Sequence, residues 1–162
     1  MVSRTALTAV FLAFFPALNF AAESYNGPKP PKPDVAFLLH ADNLVETETL
    51  EAKEETRKDE TIYTIPGAAS SVRTPLAEPI FLIQVEKIVP EKLSLFRLEV
   101  KEGNRRVVFN QKKRKDNPEP IRFIATEIEG KLYRIEVNQP LENGEYSLSP
   151  AGSNQVFCFQ VY

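Results

Sequence analysis

Nucleophilic catalysis needs a hydroxyl or thiol with a base in reach. The 162-residue chain offers one imidazole for that work, His40, in the segment FLLHAD. Asp42, two residues on, is placed to orient it. The candidate nucleophiles Ser70 and Ser71 stand in PGAASS with no base near them in sequence, so a hydrolase would have to gather distant residues around His40 and Ser70. The G-x-S-x-G turn that presents a serine in α/β hydrolases does not occur. One histidine and one cysteine, Cys158, cannot build a zinc set. Glu46, Glu48, Glu51, Glu54 and Glu55 attract cations but lack the D-x-D-x-D-G loop that wraps calcium. No glycine-rich phosphate loop is present, and nothing singles out two carboxylates for acid–base work. The expectation is a non-catalytic protein with no cofactor and no metal.

Charge gives a different kind of candidate. NRRVVFNQKKRK carries Arg105, Arg106, Lys112, Lys113, Arg114 and Lys115 with no acid among them. Such a tract protects a hairpin edge from pairing with other sheets. It also suits an anionic partner: an envelope protein, an acidic surface polymer or lipid head groups. The segment from Asp42 to Glu60 is mostly acidic, so pairing of the two tracts, within one chain or between copies, is the sharper expectation. A sugar-binding face would use flat rings, for which Tyr63, Tyr133, Tyr146 and Tyr162 are available. Tyr133 shares parity with Ile135 and Val137, which assigns it to a core.

These residues must be held by elements whose order the ends and the period define. Arg4, then an uncharged apolar run from Ala6 to Phe20, then Ala21 and Ala22, read as an export signal over residues 1–22. Its removal leaves 19 basic against 22 acidic side chains, which disfavours nucleic acid as a partner. The apolar run is short for a membrane span, so no integral membrane segment is expected in the mature, secreted or periplasmic chain. Residues 23–60 read as an arm. ESYNGPKPPKP is an extended proline-rich spacer. Val35 to Leu39 form a short apolar run that suits an edge strand, and the charged stretch after it shows no apolar stripe, so an exposed, mobile or partly helical segment is expected.

From Thr61 the period is two. TIYTI, PIFLIQVEK, SLFRLEVK, RRVVFN, PIRFIATEI, KLYRIEV, EYSLS and QVFCFQV are strand-like, separated by turn signals at EGN, EGK and PAGSN. Phe81, Ile83 and Val85 fall on one face, as do Phe96, Leu98 and Val100, and Phe157, Phe159 and Val161. One face in a core and one in water is the pattern of an antiparallel sandwich or small barrel over residues 61–162. A membrane barrel ending in Tyr162 is disfavoured by Gln160 on the same side and by the short strands.

Leu141, Gly144 and Tyr146 have the spacing L-x-x-G-x-Y at the start of a strand. This resembles the tyrosine corner of immunoglobulin-like sandwiches, in which the hydroxyl bonds back to the backbone a few residues upstream. The chain has no tryptophan and no cysteine pair, so it resembles the disulfide-free, fibronectin-like variants. As a whole it resembles small exported bacterial proteins. The resemblance implies an all-β, immunoglobulin-like fold of seven or eight strands and no activity. The expected role is therefore an exported binding or structural module of the cell envelope, against the alternatives of a hydrolase or a carbohydrate-binding module.

Overall fold

The computed structural model describes residues 24–112 and 114–162; the expected export signal lies outside them, as does Lys113. In chain order the described strands are β1 (Phe37–His40), β2 (Asn43–Glu46), β3 (Glu48–Glu51), β4 (Lys53–Arg57), β5 (Glu60–Pro66), β6 (Arg73–Thr74), β7 (Ile80–Gln84), β8 (Ser94–Lys101), β9 (Asn104–Asn110), β10 (Phe123–Glu129), β11 (Leu132–Val137), β12 (Gly144–Ser149) and β13 (Gln155–Val161). They form an all-β molecule of two sheets, consistent with a β-sandwich. One sheet runs β10-β11-β7-β1-β2; the other runs β3-β13-β12-β8-β9-β5-β4, with the short β6 pairing with β13. Every pairing of named strands is antiparallel except β6 with β13.

The eight strand-like runs from Thr61 onward are all strands, because alternating apolar residues have a core to face. EGN and EGK make two-residue hairpin turns. Glu102 and Gly103 (φ 53° and 76°) join β8 to β9, and Gly130 and Lys131 (φ 41° and 66°) join β10 to β11. Positive φ at both central residues matches the twist of the flanking strands. Between the sheets lies the main core, containing Phe81, Ile83, Ile135, Leu148, Phe157 and Phe159. Phe159 meets Phe81 edge-on, with centroids 5.0 Å apart, and stacks on Tyr146 at 5.5 Å.

The segment expected to be an arm is the main correction. Residues 43–57 carry three strands, and β1 is not an edge strand but lies between β7 and β2. The proline-rich stretch is also engaged: Pro33 bridges to Gln84, Lys29 pairs with Glu129, and Lys32 pairs with Glu46 at 2.8 Å. β3 and β4 follow one another with only Ala52 between them, yet they form opposite edges of the larger sheet. Its edges therefore meet in one stretch of chain, and the sheet must curl round. β3 and β4 are not paired with each other, so each remains an edge strand, and their charged side chains suit an edge that must not pair with other sheets.

Curling creates a second interior. Ala52, Ile65, Leu98, Val156 and Cys158 are buried there, with Leu50, Tyr63 and Val107 packed against them. β12 and β13 thus have both faces covered, where one wet face was expected. The reading of β8 changes as well. Leu95 faces the main core, whereas Leu98 belongs to the second interior and Val100 is half exposed.

Candidate functional site

Directly opposed residues on antiparallel strands share a face, and alternate residues along one strand do too. On the inner face of the curled sheet this places Ser149, Ser147 and Glu145 in a column on β12, opposite Ser94, Phe96 and Leu98 on β8. Arg105, Val107 and Phe109 form the matching column on β9, with Tyr63 and Ile65 beside them on β5. The β9 column runs from aromatic Phe109 through Val107 to charged Arg105, and the β12 column from Ser149 through Ser147 to Glu145, so the two charged ends lie together as a floor.

At the mouth is a cavity of about 210 Å³. Its walls include Tyr63, Phe96, Val107 and Phe109, and its rim is the turn from Pro150 to Asn154. Phe109 sits edge-on to both other rings, with centroids 5.3 Å from Phe96 and 6.1 Å from Tyr63. Burial, with the nearby Glu54 charge, raises the Tyr63 phenol above its usual value. No carboxylate, lysine, arginine, histidine or cysteine lines the cavity. Ser147 lines it and is only 2% exposed. Among the described residues, no hydrogen bond occupies the side-chain hydroxyl of Ser94, Ser147 or Ser149.

The floor is ionic. Arg105 is fully buried and donates from Nη1 to Glu48 at 2.7 Å, from Nε to the Gly67 carbonyl at 3.0 Å and from Nη2 to the Pro66 carbonyl at 2.8 Å. Glu145 lies 3.8 Å from Arg105 and accepts the Ser70 N–H at 2.8 Å. Its other oxygen, Oε1, is buried without a hydrogen-bond partner among the described residues. Burial outweighs the Ser70 and Arg105 contributions and raises the Glu145 carboxyl above its usual range. Cys158 is buried beside this group, and burial pushes its thiol up to about 12. A thiol so disfavoured as thiolate is a poor nucleophile.

The basic tract is therefore divided. Arg105 is structural and unavailable to a partner, which corrects its assignment to a binding surface. Arg106 faces outward and pairs with Glu99 at 3.0 Å. Lys112 and Lys115 are exposed, and Arg114 begins a short 3-10 turn that ends at Asp116. Lys112 pairs with Asp59 at 2.8 Å, and Arg105 reaches Glu48, so two contacts join the basic and acidic tracts within one chain.

The corner is built as expected. Tyr146 is 1% exposed and donates from its hydroxyl to the Glu142 carbonyl at 2.7 Å; Leu141 is buried beside it in the main core. Gly144 has no positive φ. A Cβ there would lie 3.2 Å from Nε of the half-exposed Arg97 side chain, which would have to shift slightly.

Among the described residues, the hydrolase candidates His40 and Ser70 are hydrogen-bonded to other groups and not to each other. His40 Nε2 hydrogen-bonds Thr74 Oγ1 at 3.0 Å, while the Ser70 hydroxyl is occupied by the Val72 N–H at 3.2 Å. Tyr63 and Tyr162 do not form one platform either: Tyr63 packs on Phe109, and Tyr162 lies beneath Arg73, 4.2 Å from its guanidinium carbon. Tyr133 is half buried against the main core. Among the described residues no group of acidic, histidine or cysteine side chains suits a metal ion, and no helix is long and apolar enough to cross a membrane. The chain matches no protein-family model, no curated protein and no solved structure.

Parity in the sequence carried a signal for the buried arginine. Arg105 shares a face with Val107 and Phe109, so an arginine on an apolar face was legible. The cavity was not, because it depends on β3 to β5 covering a face that otherwise reads as wet.

Proposed function

We propose that the chain is an exported, non-catalytic binding module of the cell envelope, built on an immunoglobulin-like sandwich whose second sheet closes round a ligand cavity. The observation that carries this reading is the cavity: it is formed by aromatic rings and free hydroxyls, with no acid–base pair. Walls of that kind hold a molecule and do not transfer a proton or activate a nucleophile. Two features support the immunoglobulin-like part. Such sandwiches carry strands A, B, E and D in one sheet and C, F and G in the other. Labelling β1, β7, β8, β10, β11, β12 and β13 as A to G gives both orders, with β9 continuing from C. The corner then falls at the start of strand F, where Tyr146 bonds back to Glu142.

The loops from residues 85 to 93 and 150 to 154 lie at one end in this labelling, and both border a groove adjoining the cavity rim. That end is the binding end. Lys112 and Lys115 provide a separate contact for an anionic surface polymer. Incubation with an envelope extract followed by native mass spectrometry tests the reading. The expected result is a retained, chemically unchanged small molecule on a chain lacking residues 1–22. Chemical conversion of the bound molecule, or a full-length chain confined to the cytoplasm, would overturn it.

A further inference from the structure

We infer that the cavity takes a single aromatic ring bearing a neutral hydrogen-bonding group. The inference rests on the binding-module reading and specifies its ligand. Size is the first argument. A dry apolar cavity of about 150 Å³ accepts benzene, so about 210 Å³ accommodates one ring with a small substituent. Shape is the second. Phe109 meets Phe96 and Tyr63 edge-on, leaving ring faces and edges for a further aromatic partner at ordinary contact distances.

Charge is the third argument. No ionised side chain lines the walls, and an ion moved there from water would find no counter-charge. The ionic floor does not change this, because Arg105 is already engaged by Glu48, Gly67 and Pro66. Ser147 is the fourth. Ser147, 2% exposed as a residue, has no protein partner for its hydroxyl, and that oxygen opens on the cavity, where it can donate to or accept from a ligand. Ser94 and Ser149, half-buried nearer the mouth, add two more hydroxyls without protein partners to the lining. A phenol-like or amide-bearing ring satisfies these hydroxyls and the apolar walls together.

The test is an NMR titration of the full chain with p-cresol, its anionic isostere p-toluate, and methyl glucoside. The expected result is saturable shifts at Tyr63, Val107 and Ser147 with p-cresol alone. Ser147→Ala should weaken p-cresol by about tenfold, the value of one buried hydrogen bond. Val107→Phe should abolish binding by filling the space. Because Val107→Phe could unfold the chain, Ser147→Ala with unchanged thermal stability is the independent check. Preference for p-toluate or methyl glucoside at the same residues would overturn the ligand class and leave the binding-module reading standing. No shift from any probe would overturn the cavity as a ligand site. Conversion of a probe would overturn the non-catalytic reading instead.

Discussion

The two interiors of this molecule are built on opposite plans. Between the sheets, Phe81, Phe157, Phe159 and Leu148 pack as apolar side chains, and the Tyr146 hydroxyl among them donates to the Glu142 carbonyl. Inside the curled sheet, an arginine, two glutamates, a thiol and three serines share the space with fewer apolar residues, and one end stays open. The first plan gives stability through dispersion and area removed from water. The second places groups whose value depends on a partner, which stabilises little and specifies much.

The largest effects separate the plans. Phe159→Ala should cost about 3–5 kcal/mol by leaving a void in the main core. Arg105→Met should cost about as much for a different reason, since Glu48 and Glu145 would lose their counter-charge. Urea denaturation distinguishes the causes. Adding Glu48→Leu and Glu145→Leu to Arg105→Met should recover most of the loss, because a buried ionic group can be replaced by apolar residues of similar volume. No recovery would mean that the ionic floor shapes the curl of the sheet. Next in size, Tyr146→Phe should cost about 1 kcal/mol, one buried hydrogen bond. Tyr133→Phe, whose hydroxyl lies 3.4 Å from Glu127 on the surface, should be neutral within about 0.5 kcal/mol.

Stability against pH provides a finer comparison, with two carboxyls acting in opposite directions. Asp34 Oδ1 accepts the N–H groups of Glu86, Lys87 and Ile88 at 2.9, 3.0 and 3.1 Å. Burial alone would raise its carboxyl, but these bonds outweigh burial and lower it below 3.8. Its contribution is complete above that value and is lost as pH falls through the lowered one. Glu145 is raised above 4.5 by burial. Its contribution is complete below 4.5 and is lost as pH rises through the raised value. Asp34→Asn should therefore flatten the acid side of a stability–pH curve, and Glu145→Gln the side above it. The smallest effect belongs to the surface. Arg106→Ala and Lys112→Ala should each cost under about 1 kcal/mol, and salt should shrink that further.

The strands from β5 onward were legible because their alternation survives in one dimension. In β11, Tyr133, Ile135 and Val137 turn inward, while Arg134 and Glu136 turn out and pair with each other at 2.8 Å. The strands β2 to β4 were not legible. β2 turns Val45 to the main core, the stretch after it turns Glu48, Leu50 and Ala52 to the second interior, and Thr49, Glu51 and Lys53 are exposed, so apolar residues are too few and too spaced to show a period. The bond from the Tyr146 hydroxyl back to the Glu142 carbonyl was legible from the spacing of Leu141, Gly144 and Tyr146. The cavity was not, since Ser147 and Ser149 look like a wet face until another strand lies over them. Charge alone misplaced Arg105, because the basic tract was grouped by sequence adjacency, whereas in a strand adjacency separates faces.

Residues 48–66 carry β3, β4 and β5, which wrap the second sheet round its own interior. Hydrogen exchange of the native chain tests this wrapping at single amides. β3 and β5, with the Ala52 amide that donates to the Asn154 carbonyl at 2.8 Å, should exchange as slowly as β12 and β13. Fast exchange throughout residues 48–66, with β12 and β13 still protected, would contradict it, leaving an open sandwich with no second interior.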